Sequence, residues 1–315
     1  MTVLSIQPED EAAVLEMGIS DFGEMTRLTE IAKPDYCVIT NIGQCHLENL
    51  GSREGILKAK TEIFKSMNPD GYVFLNGEDD MLATVKKPWN NEIIRFGMSK
   101  KDAVYATDVV NKGLLGSEAV IHVADTQFQV KVPLPGIHMV LNALAATAVG
   151  WQLGLRTEQI AEGIAQVQAV AGRSHVIETP DYILIDDCYN ANPVSMKAAI
   201  DLLGTALQRK VAILGDMFEL GKDEAILHAQ IGEYAMTHGV DVLICIGELS
   251  KNMYERAVET LSGKEHGSRE IYYFPTREEA MAQLPHILHT GDAVLIKASH
   301  SMKFEEIVEQ STGRI

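Results

Sequence analysis

Between residues 182 and 311, short apolar runs alternate with helical patterns, and that alternation limits the fold more than any other feature. The runs are YILIDD (182–187), KVAILG (210–215), DVLICIG (241–247), IYYF (271–274) and AVLIKA (293–298). Helical periodicity covers 193–207, 222–238, 248–262 and 276–288, with a last stretch near 302–311. Strands buried on both faces read as continuous apolar runs, and parallel neighbours need a crossover that is usually a helix. The expectation is a parallel sheet covered on both sides, a doubly wound Rossmann-like domain. No G-x-G-x-x-G follows its first strand, so a dinucleotide site is not expected. Pro193 suits the first turn of its helix, with Asn192 as the N-cap.

The first half is more mixed. AVLEMG (13–18) and YCVITNIG (36–43) read as strands joined through a helix near 22–32. A helix follows at 53–67 and a short strand at 71–76. Residues 92–132 carry several shorter alternating runs, such as EAVIHVA and QFQVKV, which suggest antiparallel strands. Helices are expected over about 138–153 and 157–167. Helical periodicity stops near Ala171, Gly172 and Arg173. The chain of 315 residues is long for one core, so two domains are expected, 1–172 and 173–315.

Composition narrows the partners. A net charge of -17 argues against a nucleic-acid scaffold, which needs basic patches. No apolar run approaches the roughly 20 residues that cross a bilayer, so no membrane insertion is expected. MTVLSIQPEDE has neither a basic lead nor a sustained apolar stretch, unlike a signal peptide. The four cysteines, Cys37, Cys45, Cys188 and Cys245, form no C-x-x-C pair. They suit buried thiols in a reducing, cytoplasmic setting.

Several polar residues stand where chemistry would be. ILIDDCYNANP (183–193) begins as a buried strand and ends in two acids, a tyrosine and two asparagines. In an open α/β sheet, strand carboxyl ends face the ligand crevice. Glu16 would occupy such an end and could hold Mg²⁺, which takes carboxylates together with phosphates; a solvated strand-end acid is the simpler alternative. Asn41 and His46 close the next strand. Lys58 and Lys60 lie on the following helix; most helix lysines are solvated, and a reactive one must lose part of its hydration. His138 leads into a helix that carries Asn142. Arg173 could clamp phosphate with its planar fork of donors. The nearest approach to G-x-x-x-x-G-K-[ST] runs from Gly215 to Asp223, with one residue too many between the glycines and Asp at its end. It reads as a strand-to-helix turn.

Taken in order, EMGISDFGE, TNIGQCHLENLGS, KAKTEIF, LPGIHMVLNALAA, AGR, IDDCYNANPVSM and LGDMFELG resemble the Mur ligases of peptidoglycan synthesis over nearly the whole chain. The resemblance implies ATP-dependent amide formation. ATP phosphorylates the terminal carboxylate of a UDP-N-acetylmuramoyl tripeptide, and an incoming amine displaces phosphate. YNANP with LGDM-x-ELG is most similar to the member whose acceptor is D-alanyl-D-alanine. By resemblance, Glu16 would bind the Mg²⁺ that bridges the ATP phosphates. His46 and a carbamylated Lys60 would bind a second Mg²⁺ and carry the catalytic roles, Lys60 being preferred to Lys58 because it lies three residues before the Ile63–Phe64 pair. Asn142, Arg173, Asp187, Tyr189 and Asn190 would hold ATP, while Asn192 and Ser299 would meet substrate.

Departures from the family pattern fall at Cys45, at Met139 and in KASH (297–300), where K-G-S-R is usual. TVLSIQPEDEAAVLEMG resembles the family from partway through its central domain, so the UDP-binding domain and phosphate loop are expected upstream of Met1. A mixed-sheet central ATPase domain, truncated, followed by the Rossmann-like domain is the fold implied. The parent enzyme is expected to be a cytoplasmic monomer, and this chain alone to have little or no ligase activity. The alternatives are a non-catalytic nucleotide-binding module and an amide ligase of the folate-polyglutamate type.

Overall fold

A computed structural model describes residues 2–43, 46–86, 92–262 and 269–313. The chain divides into two compact units. One comprises Met1–Thr107, Ile121–Phe128 and Leu141–Ile160, and the other Asp108–Val120, Gln129–Val140 and Ala161–Ile315. Among the described residues no helix is long and apolar enough to cross a membrane.

The first sheet has six strands in the order β1 (Tyr36–Ile39), β2 (Tyr72–Asn76), β3 (Glu92–Gly97), β4 (Val104–Asn111), β5 (Ser117–Val123) and β6 (Thr126–Val132). β1, β2, β3 and β4 run parallel, each to the next, so the antiparallel expectation for 92–132 fails at β3 and β4. Only two residues connect β5 to β6, a length that permits an antiparallel hairpin and no parallel crossover. Helices α1 (Glu24–Ala32), α2 (Leu47–Leu50), α3 (Arg53–Lys60) and α4 (Asp80–Ala83) belong to the first unit. Met25, Ile56, Ala59 and Phe64 pack on Cys37, Ile39, Val73 and Leu75. Ser52 caps α3 by accepting from the Gly55 N–H, and Asp79 caps α4 through Met81 and Leu82. The helices expected near 138–153 and 157–167 are α5 (Ile137–Gln152) and α6 (Thr157–Ala165).

The start of the chain also departs from expectation. AVLEMG (13–18) is not a strand: residues 11–20 lie outside regular structure, and TVLS forms a 3₁₀ turn. An apolar run becomes a strand only beside a partner that takes its backbone groups. Here β1 pairs with β2 alone and stands at the end of the sheet.

The second sheet has the order β11-β10-β9-β12-β8-β7. Its strands are β7 (His175–Glu178), β8 (Tyr182–Asp186), β9 (Lys210–Gly215), β10 (Val242–Ile246), β11 (Glu270–Phe274) and β12 (Asp292–Lys297). The last five are the apolar runs of the sequence, and they pair in parallel. β7 was not anticipated. It pairs antiparallel to β8 as an edge strand, so the sheet is mixed.

The linking helices are α7 (Pro193–Gly204), α8 (Glu224–Thr237), α9 (Ser250–Leu261), α10 (Arg277–Ile287) and α11 (Glu305–Ser311). Side chains alternate along each strand. Ile185, Leu214, Leu243 and Leu295 meet Met196, Ile200, Ile231 and Met253 from α7, α8 and α9. Leu184, Ile213, Ile244 and Ile296 meet Leu284 and Ile307 from α10 and α11. Each such aliphatic contributes about 1.5–3 kcal/mol by leaving water. The helix after β10 lies on one face and the helix after β11 on the other, and β9 and β12 differ in the same way. Chains leaving neighbouring strand ends in opposite directions open a crevice between them.

Candidate functional site

The DDCYNANP loop is built by strand register. Ile296 of β12 lies opposite Asp186 of β8, and the Asp187 N–H donates to the Ile296 carbonyl (3.0 Å). Lys297, one residue on, therefore reaches the loop. Its Nζ donates to Asp187 Oδ2 at 2.6 Å and to the Asn190 carbonyl at 2.9 Å. The Lys297 side chain is 3% exposed and that of Asp187 14%.

The two acids do different work. Asp186 turns inward, accepting from the Gly172 N–H (2.8 Å) and the Cys188 Sγ (3.0 Å). Burial, and then that contact, raise the Cys188 thiol far above its ordinary range, so it stays protonated. Asp187 accepts from the Ser174 N–H at 2.8 Å. The Tyr189 N–H donates to the Gly172 carbonyl (2.9 Å). Gly172 has φ 77°, and a Cβ there would stand 3.2 Å from the Tyr189 nitrogen, so only glycine fits this turn without strain. The turn places the Arg173 guanidinium 4.2 Å from the centroid of the Tyr189 ring. The His300 ring lies 5.7 Å from the same ring. Burial pushes the His138 imidazole below its ordinary value, with Lys297 acting in the same direction and Asp187 opposing.

A second feature occupies the carboxyl ends of β9, β10, β11 and β12. A cavity of about 370 Å³ is lined by Asp216, Glu248, Thr276, Arg277 and Lys303 among others. Acids and cations share its wall, a combination suited to a zwitterion. Asp216 is 4% exposed and accepts from Ser250 N–H and Oγ, both at 2.7 Å. Ser299 donates its N–H to the Asp216 carbonyl and accepts from the Phe218 N–H, each at 3.0 Å.

Residues 2–150 match the family model of the Mur ligase middle domain, and residues 172–300 that of the Mur ligase glutamate ligase domain. The chain is 33% identical over 312 residues to the UDP-N-acetylmuramoyl-tripeptide–D-alanyl-D-alanine ligase of Bacillus subtilis, covering 98% of this chain and 66% of that protein. The Escherichia coli ligase of the same name is 31% identical over 310 residues, with coverage of 98% and 67%. The chain belongs to the Mur ligase family. It spans about two thirds of the length of these relatives. Among solved structures, MurF from Acinetobacter baumannii superposes with a TM-score of 0.88 at 28% identity, over 99% of this chain and 67% of that one. MurF from Thermotoga maritima in complex with ADP gives 0.79 at 26% identity, over 93% and 65%.

In this Mur ligase chain the sequence-derived residues fall into separate groups. Arg173, Asp187, Tyr189 and Asn190 gather on one loop and its docked turn. Asn192 serves as N-cap in a capping box with Ser195. Ser299 secures residues 216–218. Asn142 is exposed on α5, in the first unit. Also in that unit, Lys60 is half-buried and its Nζ donates to the Asn41 carbonyl at 2.9 Å. Lys58 is exposed beside the Phe22 ring. His46 sits at φ 56° as the cap residue of α2. Glu16 is exposed and does not end a strand. Cys45 lies outside the described residues.

Among the described residues no three His, Cys, Asp or Glu side chains gather as a metal cluster. The donor chemistry of His46 and Lys60 fits Mg²⁺ on one condition, that Lys60 carries a carbamate, because an ammonium offers no lone pair. Three residues that hold these loops were not singled out from the sequence. Lys297 was signalled only by a lysine inside an apolar strand. Asp216 stood at a strand end within LGDM. His228, fully buried on α8, gave no signal.

Proposed function

We propose that this chain supplies the nucleotide and acceptor sites of an ATP-dependent ligase that joins D-alanyl-D-alanine to a UDP-N-acetylmuramoyl tripeptide. The observation that carries the reading is the loop from Asp186 to Asn192, with Arg173 stacked on Tyr189 and Asp187 fixed by Lys297. It presents a guanidinium for phosphate and a carboxylate for ribose hydroxyls on one rigid turn. The likeness to the Bacillus and Escherichia ligases supports the choice of substrates. We take Gly172 and Arg173 as the junction of the two domains.

The chemistry follows from electrophilicity. A carboxylate resists nucleophiles, and phosphorylation provides a leaving group. Arg173 would draw charge from the phosphates. The cavity at the strand ends would hold the dipeptide, Asp216 and Glu248 facing its ammonium and Arg277 and Lys303 its carboxylate. Asn142 and Asn190 are each proposed to meet nucleotide, and Asn192 and Ser299 would fix the backbone that meets substrate. His46, Lys60 as its carbamate, and Glu16 would hold Mg²⁺, which offsets the crowding of negative charge in phosphoryl transfer. The enzyme is proposed to work in the cytoplasm, as a monomer.

No G-x-x-x-x-G-K-[ST] occurs in these 315 residues. That observation favours a second reading for the chain by itself, a nucleotide-binding module with little turnover. Phosphate release with ATP, the tripeptide nucleotide and D-alanyl-D-alanine tests both, alongside calorimetry with ATP and with the dipeptide. Binding without turnover is expected. Sustained turnover would exclude the module reading, and no binding of either ATP or dipeptide would exclude the ligase-site reading.

A further inference from the structure

His228 joins α8 to the loop after β9, whose Asp216 the ligase reading uses. Its Nδ1 lies 2.7 Å from the Glu224 carbonyl oxygen, which can only accept. Its Nε2 lies 2.9 Å from the Met217 backbone N–H, which can only donate. The ring must therefore carry its proton on Nδ1 and a lone pair on Nε2. A second proton would set an N–H against the Met217 N–H. His228 is fully buried, and burial holds its basicity down, while the charges of Asp216, at the end of β9, and Glu224, on its own helix, favour protonation.

The bond falls on the middle of a tightly held loop. Asp216 is fixed by Ser250 and Ser299, and Phe218 by Ser299. Met217 between them has the histidine as its tie to α8. Asp216 lines the strand-end cavity. We infer that His228 is a positioning residue: as a neutral, Nδ1-protonated imidazole it holds the Met217 amide beside Asp216, which lines that cavity, and its protonation releases that tie. The location of the loop within an acceptor site rests on the proposed function; the tie itself does not.

The test is made on this chain by NMR. At pH 7.5 the imidazole ¹⁵N resonances of His228 should report a protonated Nδ1 and a bare Nε2, a measurement that needs no variant. Amide exchange at Met217 is then compared in wild type, His228→Gln and His228→Phe. Gln offers Oε1 near the position of Nε2 and should keep Met217 protected. Phe keeps volume but offers no acceptor, and protection should fall by roughly tenfold or more, the loss expected of one buried donor left bare. Lowering the pH to the point where His228 protonates should remove Met217 protection in wild type and not in His228→Gln. An Nε2-protonated or doubly protonated ring at pH 7.5 overturns the inference. So does equal Met217 protection in wild type and a folded Phe variant. D-alanyl-D-alanine titrated into wild type at pH 7.5 separates the two claims. If it fails to bind while the exchange results hold, the acceptor reading fails and the role of His228 stands.

Discussion

Replacing Lys297 with Met removes the ammonium that closes the DDCYNANP loop and leaves most of the side-chain volume in place. The ammonium makes two bonds shorter than 3 Å, to Asp187 Oδ2 and the Asn190 carbonyl. The side chain is 3% exposed, so water does not replace it, and Asp187 at 14% has little more access. Breaking one partner of a buried pair costs about 3–5 kcal/mol. Asp187 keeps the Ser174 N–H, which places the expected loss near the lower end, about 3 kcal/mol. In urea, with a slope of about 1–3 kcal/mol per M, the midpoint should fall by about 1 M or more. Circular dichroism follows the transition, and amide exchange in β8 and β12 reports the second sheet separately. Adding Asp187→Asn to Lys297→Met removes the stranded charge and should restore at least about 1 kcal/mol, a coupling typical of groups in contact. A loss below about 1 kcal/mol, or strict additivity in the cycle, would refute the claim that this pair sets the loop.

Asn192→Ala removes the acceptor for the Ser195 N–H and should cost about 1 kcal/mol in urea unfolding. Gly247→Ala places a Cβ 2.5 Å from both Asp216 carboxylate oxygens at φ 113°. Calorimetric titration with D-alanyl-D-alanine should show weakened or lost binding, and unchanged affinity would disconnect Asp216 from the acceptor. His138 and His228 both lie below the ordinary 6.5 in the folded chain. The unfolded chain then binds more protons between the two values, so stability rises with pH there. Their contribution is complete above about 6.5 and is lost as pH falls from there towards the folded values. Each adds at most about 1.4 kcal/mol per pH unit, and thermal melts from pH 7.5 to 5 should show the slope reduced in His228→Gln.

The second domain was legible because its central strands are covered on both faces and so cannot hide their apolar runs. β9 falls on the residues expected, KVAILG. β7 escaped because an edge strand of four residues, HVIE, has one partner and no continuous apolar run. AVLEMG misled for the converse reason: it has the side chains of a strand, but a strand is a relation between two segments. Arg173, Asp187 and Tyr189 could be chosen from sequence because they lie close along the chain. Lys297 could not be joined to Asp187, 110 residues away, until register placed β12 beside β8. His228 was hidden further, since its role depends on a backbone N–H that no sequence pattern displays.

The paired acids also bear on how a nucleotide could be met at this loop. Asp186 is spent on structure, with Gly172 and Cys188 as its partners. A carboxylate has about four lone-pair sites. Asp187 accepts at Oδ1 from the Ser174 N–H and hydroxyl and at Oδ2 from Lys297, which leaves about one site for a ligand. Those bonds also hold the carboxylate in one orientation, so a ribose would not have to order it on arrival. Side-chain ordering costs about 0.5–1.5 kcal/mol per group at a binding site, and here folding has already met that cost. Loss of Lys297 should therefore weaken nucleotide binding even at temperatures where the variant stays folded. Loss of Ser174 contacts alone should do so less, because Lys297 still fixes the charge.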